Sequence, residues 1–149
     1  MIREARASDK GALLELMRKM HEETSYKQFP LSEIKLLERV DLWLTSLWHR
    51  VTYVLEHEGA VVGVFAGYLG DLWFSEALCG FDEVVFIDPD HRGRHGLSQM
   101  LARFEDWCRE RGCSAVLVGV SSGVMVERTG KLLQFLGYDK VGGLYRRTI

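Results

Sequence analysis

Pro89-Asp90-His91-Arg92-Gly93-Arg94-His95-Gly96 gathers two histidines, two arginines and two glycines into eight residues. Cationic side chains beside glycines suit an anion, because the guanidinium groups bring charge and the glycines let backbone come close. Within the same stretch, His91 and His95 have the spacing of two zinc ligands on one helix face. Further on, Gly119-Val120-Ser121-Ser122-Gly123 matches the G-x-S-x-G pattern of a serine nucleophile. Ahead of the basic loop, Asp71, Glu76, Asp82 and Glu83 form an acidic cluster that could draw a cationic ligand.

Three chemistries fall away on the residues themselves. Zinc fails because no Glu follows His91, no third ligand is evident, and the glycines and proline around the histidines read as loop. Serine hydrolysis needs a histidine base after the nucleophile, and the last histidine, His95, precedes Ser121. Neither G-x-x-x-x-G-K-[ST] nor G-x-G-x-x-G occurs between a strand and a helix, which removes the familiar nucleotide loops.

The elements around the basic loop are legible. Val84-Val85-Phe86-Ile87 is a fully apolar run. Leu97, Met100, Leu101, Phe104, Trp107 and Cys108 recur at three- and four-residue steps, and Ala115-Val116-Leu117-Val118 is a second apolar run. Together they predict a βαβ unit whose loop opens a helix, where unpaired amides and the helix dipole attract phosphate.

Earlier, Met1 to Ala5 reads as a strand. Ser8 offers an N-cap with Asp9 in the first turn, ahead of a helix packing Leu13, Leu16, Met17 and Met20. Pro30 and Ser32 introduce a second helix with Ile34, Leu37, Val40, Leu44, Leu47 and Trp48 on one face. Leu36 and Trp43 widen that face, which reads most simply as a core stripe but could suit a substrate wall or a homodimer contact. Val51 to Leu55 and Val61 to Tyr68 flank Glu58-Gly59 as an antiparallel hairpin, and Asp71 to Asp82 reads as irregular. After the βαβ unit, a loop at Ser121 to Gly123, a helix to about Leu136, a C-cap at Gly137 and a closing strand from Tyr138 to Arg147 complete the pattern. The order predicts an α/β (α+β) fold with a mixed sheet and helices on its faces.

Whole-chain quantities bound the rest. At 149 residues, with 47% apolar and 27% charged residues, the chain reads as a single globular domain over 1–149. A net charge of −2 argues against a broad basic face for nucleic acid. No apolar stretch reaches the ~20 residues of a membrane span, and no apolar signal core precedes Asp9. Cys79, Cys108 and Cys113 form no CxxC pair and read as reduced thiols, so the expected location is cytoplasmic.

The loop from Pro89 to Gly96 resembles the pyrophosphate loop of the GNAT N-acetyltransferases, whose motif runs R/Q-x-x-G-x-G/A after a strand ending in hydrophobic-x-Pro. The resemblance continues to Arg109-Glu110-Arg111-Gly112 and resumes at Lys131-Leu132-Leu133-Gln134-Phe135-Leu136-Gly137-Tyr138, similar to the family's late segment ending in Leu-Gly-Phe/Tyr. It implies the GNAT-like fold, in the order β-α-α-β-β-β-α-β-α-β, and transfer of an acetyl group from acetyl-CoA to a primary amine. The acceptor would be a small molecule or peptide, attacking directly in a ternary complex without a metal. It also implies that the backbone of Phe86 and Ile87 pairs with the pantetheine arm. Amides of Arg92, Gly93, Arg94, His95, Gly96, Leu97 and Ser98 would hold the pyrophosphate, aided by the Arg92 and Arg94 side chains, with Arg128 and Lys131 reaching the nucleotide phosphates.

Two departures stand out. Without gaps, His95 and Leu97 take the loop's later glycine positions, whereas a one-residue shift puts Gly96 and Ser98 there. The shift is preferred because small residues then fall where backbone must approach phosphate. The tyrosine that often protonates the departing thiolate is replaced by Leu133, and the neighbouring Asn of that motif by Val126. A thiol with a reference pKa of about 8.5 leaves near neutrality without a strong acid, so transfer survives the loss. Tyr138, Ser121, Ser122 or water could take over. Glu83 is the first candidate to accept the amine proton and Glu76 the second. The alternative is a catalytically weak or inactive acyl-CoA-binding regulatory module, in keeping with Leu133.

Overall fold

The computed structural model describes residues 1–93 and 95–149. Near-continuous apolar runs mark strands covered on both faces, and they form the centre of the sheet. Here β2 (Arg50–His57) and β3 (Ala60–Leu72) pair antiparallel around Glu58-Gly59, both at positive φ (50° and 80°) as a tight hairpin turn requires. A second hairpin joins β3 to β4 (Ser75–Ile87) through Trp73-Phe74. The segment from Asp71 to Asp82, expected to be irregular, is therefore strand for most of its length. Its polar and aromatic residues hid the alternation, and pairing with β3 supplies the order.

The sheet runs β1-β2-β3-β4-β5, with β1 (Ile2–Glu4) at one edge and β5 (Ala115–Leu117) at the other. All neighbours are antiparallel except β4 and β5, which are parallel and joined by α3 (Gly96–Glu110). Side chains on one sheet face, including Tyr53 and Phe65, pack against Met100, Leu101, Phe104 and Trp107 of α3. On the other face, Val54, Val64 and Phe86 meet α1 (Lys10–Glu23) and α2 (Glu33–Trp43). The last helix, α4 (Val126–Phe135), closes with Gly137 at φ 95°, the C-cap expected there. Among the described residues, no helix is long and apolar enough to cross a membrane.

Several expectations at element ends are corrected. Ser8 caps nothing, because the chain enters α1 through a 3-10 turn (Ala7–Asp9), with Asp9 accepting from the Arg6 amide at 2.7 Å and from Arg3 at 2.8 and 2.9 Å. Ser32 does cap α2, accepting from the Lys35 amide at 3.3 Å. The face of α2 is turned from that expected: Val40 and Trp43 are buried and Leu36 packs beside them, while Ile34, Leu37 and Trp48 are exposed. Leu36, Trp43 and Trp48 thus share no single open surface.

No closing strand forms over Tyr138 to Arg147. The Tyr138 amide bonds Leu133 O at 2.9 Å and its hydroxyl donates to Glu105 at 2.7 Å, but residues 139–149 make no backbone hydrogen bond to a described residue. The edge offered by β5 is only three residues long, and Gly142-Gly143 raises the entropic cost of extending the segment alongside it.

Candidate functional site

The two sides of β4 are unequal. Against β3 it is paired from Ser75 to Ile87, whereas against β5 only Cys79, Gly80 and Phe81 are paired. A bulge sits at the divergence: Ala66 pairs with Val84 and Gly67 with Asp82, leaving Glu83 as the extra residue. Such a bulge bends and twists its strand. Beyond it the strands fork, and Asp82 Oδ1 spans the fork by accepting from the Gly119 amide at 2.8 Å. The opening is a cleft of about 610 Å³, within the usual range for ligand sites.

Strand parity decides which backbone groups face this cleft. The Asp88 amide donates to Val62 O on β3 at 2.9 Å, so by alternation Phe86 and Val84 also turn their backbone towards β3. Val85 and Ile87 turn theirs to the open side, where Ile87 O accepts from Arg92 Nε at 2.9 Å. Of the expected pair Phe86 and Ile87, the Phe86 backbone is thus occupied within the sheet, and Val85 stands in its place.

The loop after β4 is shaped by Asp88, whose Oδ1 accepts from the Asp90 amide at 3.2 Å, and by a 3-10 turn over Pro89–His91. Gly93 has φ 81°, and His95, at the N-cap of α3, has φ 60° with no side-chain cap. The Gln99 amide makes the first intrahelical bond, to His95 O at 3.0 Å, so the amides of Gly96, Leu97 and Ser98 lead the helix. The Ser98 hydroxyl donates to His95 O at 2.9 Å. A Cβ on Gly96 would lie 2.6 Å from Leu55 Cδ2. The seating of α3 on β2 thus leaves little room for a side chain at Gly96. The left-handed backbone that glycine favours falls on His95. At α4, Met125 (φ 49°) is likewise an N-cap without a side-chain cap, so two uncapped helix starts face one cleft.

Arg92 does not point freely into the loop. Both its terminal nitrogens bind Glu23 at the end of α1, each at 2.5 Å, and its guanidinium lies 5.5 Å from the Phe86 ring centroid. Arg92 thus braces the start of the loop against α1 and the end of β4. Arg128 lines the cleft, and a Cβ on Gly93 would lie 3.9 Å from its guanidinium. Lys131 does not line the cleft; it borders a separate depression that Met125 and Arg128 also border. Arg94 lies outside the described residues.

The expected catalytic residues separate. Glu83 lines the cleft with both oxygens occupied, by Arg39 at 2.8 Å and Arg50 at 2.7 Å. Ser121 also lines it. Glu76 does not: it is exposed near the β3–β4 turn, about 20 Å of strand away from Glu83. Tyr138 is bound to Glu105 away from the cleft, and burial, reinforced by that carboxylate, holds its hydroxyl well above the ordinary tyrosine range. Asp71, like Glu76, is at the hairpin end, so the acidic cluster seen in sequence does not gather at the site.

Asp82, marked in sequence only as a member of the acidic cluster, lines the cleft, and burial pushes its carboxyl above the ordinary aspartate range, with the Gly119 amide opposing. Other residues enter from elements that no motif marked. Glu23, Thr24 and Tyr26 arrive with the end of α1 and the turn after it, and Thr24 Oγ1 is buried without a partner among the described residues. Among those residues no group of three or more His, Cys, Asp or Glu is arranged to hold a metal.

A family model for the Acetyltransferase (GNAT) family matches residues 14–128. No curated protein matches the chain. Solved structures do. Aminoglycoside N-acetyltransferase AAC(6')-Iy in complex with CoA is 17% identical, with 100% of this chain and 95% of that chain covered and a TM-score of 0.77. Aminoglycoside 6'-N-acetyltransferase AAC(6')-IG from Acinetobacter haemolyticus is 14% identical, covering 100% and 97%, with a TM-score of 0.75. A ribosomal-protein-alanine N-acetyltransferase from Brucella melitensis biovar Abortus 2308 is 15% identical, covering 100% and 98%, with a TM-score of 0.73. At these identities the likeness shows the fold.

Proposed function

The chain belongs to the GNAT acetyltransferase family, and from that premise we propose that it is an N-acetyltransferase moving the acetyl group of acetyl-CoA to a primary amine. The acceptor is a small molecule or a peptide. The observation that carries this reading is the fork: a backbone edge left open at Val85 and at the Ile87 amide leads to an uncapped helix start. An extended pantetheine arm adds to such an edge as a strand does. The amides of Gly96, Leu97 and Ser98 and the dipole of α3 favour a diphosphate beyond it. Arg128 supplies the nearby positive charge. The neighbour solved with CoA supports CoA as the ligand, and the aminoglycoside and ribosomal-protein acetyltransferases among the neighbours support an amine as acceptor.

Acetyl-CoA brings the activated carbonyl. The amine nitrogen bonds to that carbon, the carbon–sulfur bond breaks, and its electron pair leaves with the thiolate. With a thiol pKa of about 8.5, the leaving group needs little acid catalysis, which fits Leu133 in place of a tyrosine. The amine proton goes to Asp82, directly or through one water. Asp82 suits this better than Glu83, whose oxygens are both engaged by arginines. Ser121 and Tyr26 are among the hydroxyls lining the cleft that could donate a proton to the leaving sulfur.

Calorimetry with acetyl-CoA, paired with coenzyme release in the presence of amines, tests the reading. Micromolar binding that weakens severalfold in Arg128→Ala, with amine-dependent release, is expected. No heat from acetyl-CoA sinks it. Tight binding with no release on any amine leaves the regulatory module, a reading favoured by the diversion of Tyr138 to Glu105.

A further inference from the structure

The three carboxylates lining the cleft are Glu23, Asp82 and Glu83. Asp82 and Glu83 belong to the acidic cluster that suggested a cationic acceptor. Arginines compensate Glu83 and Glu23, however, and leave Asp82 as the one lining carboxylate without a cationic partner among the described residues. Glu23 is closed by the bidentate Arg92 pair. Glu83 is held between Arg39 on α2 and Arg50 on β2, one on each oxygen. Asp82 takes the Gly119 amide across the fork. Arg128, which lines the cleft, is engaged by the cofactor phosphates in the reading above, and one further cation approaches the rim: Arg146 lies over Tyr26, 5.7 Å from its ring centroid. Between these groups the wall is uncharged: Met20, Val84, Val120 and Leu133 are apolar, and Ser121 and Ser122 add hydroxyls.

Asp82 can receive the one reacting amine, but the further charges of a polycation find only Glu23 and Glu83, each already paired with arginine. Long-range attraction follows the summed charge of a cleft, not its count of acids. Displacing an arginine from a paired carboxylate strips a charge-assisted hydrogen bond that the newcomer must replace. We propose that the acceptor is a primary amine carried on an apolar, otherwise uncharged body, and that the Arg39–Glu83–Arg50 triad helps turn polyamines away. This deepens the acetyltransferase reading and rests on it.

Coenzyme release is measured with acetyl-CoA and phenylethylamine, putrescine or spermidine as acceptor. The expected result is a kcat/KM at least about tenfold higher for phenylethylamine than for spermidine, with a spermidine KM that does not fall when salt is lowered. A preference for spermidine, or a spermidine KM that drops severalfold at low salt, overturns the proposal. Arg39→Ala uncovers one Glu83 oxygen and is expected to shift the kcat/KM ratio severalfold towards spermidine. An unchanged ratio in a folded variant removes the triad from selectivity. If acetyl-CoA binds by calorimetry but none of the amines is acetylated, the acceptor class fails while the cofactor reading stands. If acetyl-CoA does not bind, both fall.

Discussion

Strand β4 meets β3 along its whole length and β5 along only three residues, and the two sides have opposite roles. On the β3 side, buried side chains such as Val64 and Phe65 lock the ladder between α3 and α1. On the β5 side the pairing ends at Phe81, just before the bulge at Glu83, and the Val85 backbone and the Ile87 amide become the wall of a cleft. Stability and chemistry therefore divide along one strand. A site forms where the sheet stops satisfying itself, because unpaired backbone is costly in a closed core and useful beside a ligand.

The sharpest way to break this comparison is to alter each side alone. Phe65→Ala, on the fully paired side with no solvent exposure, is expected to lower stability by about 3–5 kcal/mol in a denaturant melt. Acetyl-CoA affinity should be unchanged while the variant remains folded. Asp82→Asn, at the fork, should do the reverse. It should lower kcat by about 10²-fold or more, near 3 kcal/mol on the barrier, with a small change in melting temperature. Because burial raises the Asp82 carboxyl, the wild-type rate should fall with decreasing pH at a value above the ordinary aspartate range, and that limb should vanish in the Asn variant. A limb that persists assigns the proton to another group.

Where the two sides meet, Gly96→Val should show both effects, since its Cβ would strike Leu55 on β2 while its amide leads the helix. A loss of about 2–3 kcal/mol together with severalfold weaker cofactor binding is expected from thermal melts and calorimetry. At the far edge of the sheet, Arg3→Ala strands Asp9, which is 6% exposed, and should cost roughly 2 kcal/mol. The Arg3 hydrogen bond chiefly holds the Asp9 carboxyl below the usual range. The unfolded chain therefore binds the proton more readily, and stability from this pair is full at neutral pH. It is lost as pH falls below about 3.9 and through the folded value. The acid limb of a stability–pH curve should flatten in Arg3→Ala. Smallest is Ser32→Ala, which removes the cap on α2 for about 1 kcal/mol and should leave acetyl transfer untouched.

Much of this architecture was legible because it is local. Glu58-Gly59 between apolar runs specifies a hairpin, the three- and four-residue steps from Leu97 to Cys108 specify a helix, and Gly137 after an amphipathic stretch ends another. The basic loop between strand and helix was also readable, including its family likeness. The acidic cluster misled because four carboxylates near one another in sequence are spread along a strand that rises about 3.3 Å per residue. Asp71 and Glu76 end at the hairpin, and Glu83 ends between two arginines from other elements. Nothing in periodicity marks the bulge that sets Asp82 across the fork. The exposed apolar residues of α2 and of residues 139–149 follow no pattern that separates them from core.

By itself the sequence determined what depends on neighbours within about one turn or one strand: the Glu58-Gly59 hairpin, the helix from Leu97 to Cys108, the Gly137 C-cap and a loop rich in amides and cations. Only the tertiary structure decided which charges are spent on one another. The pairing of Arg92 with Glu23 joins residues 69 positions apart, and the Glu83 triad joins three elements. Coulomb interaction and desolvation depend on distance through space and on what else is buried there, and neither is written in the spacing along the chain.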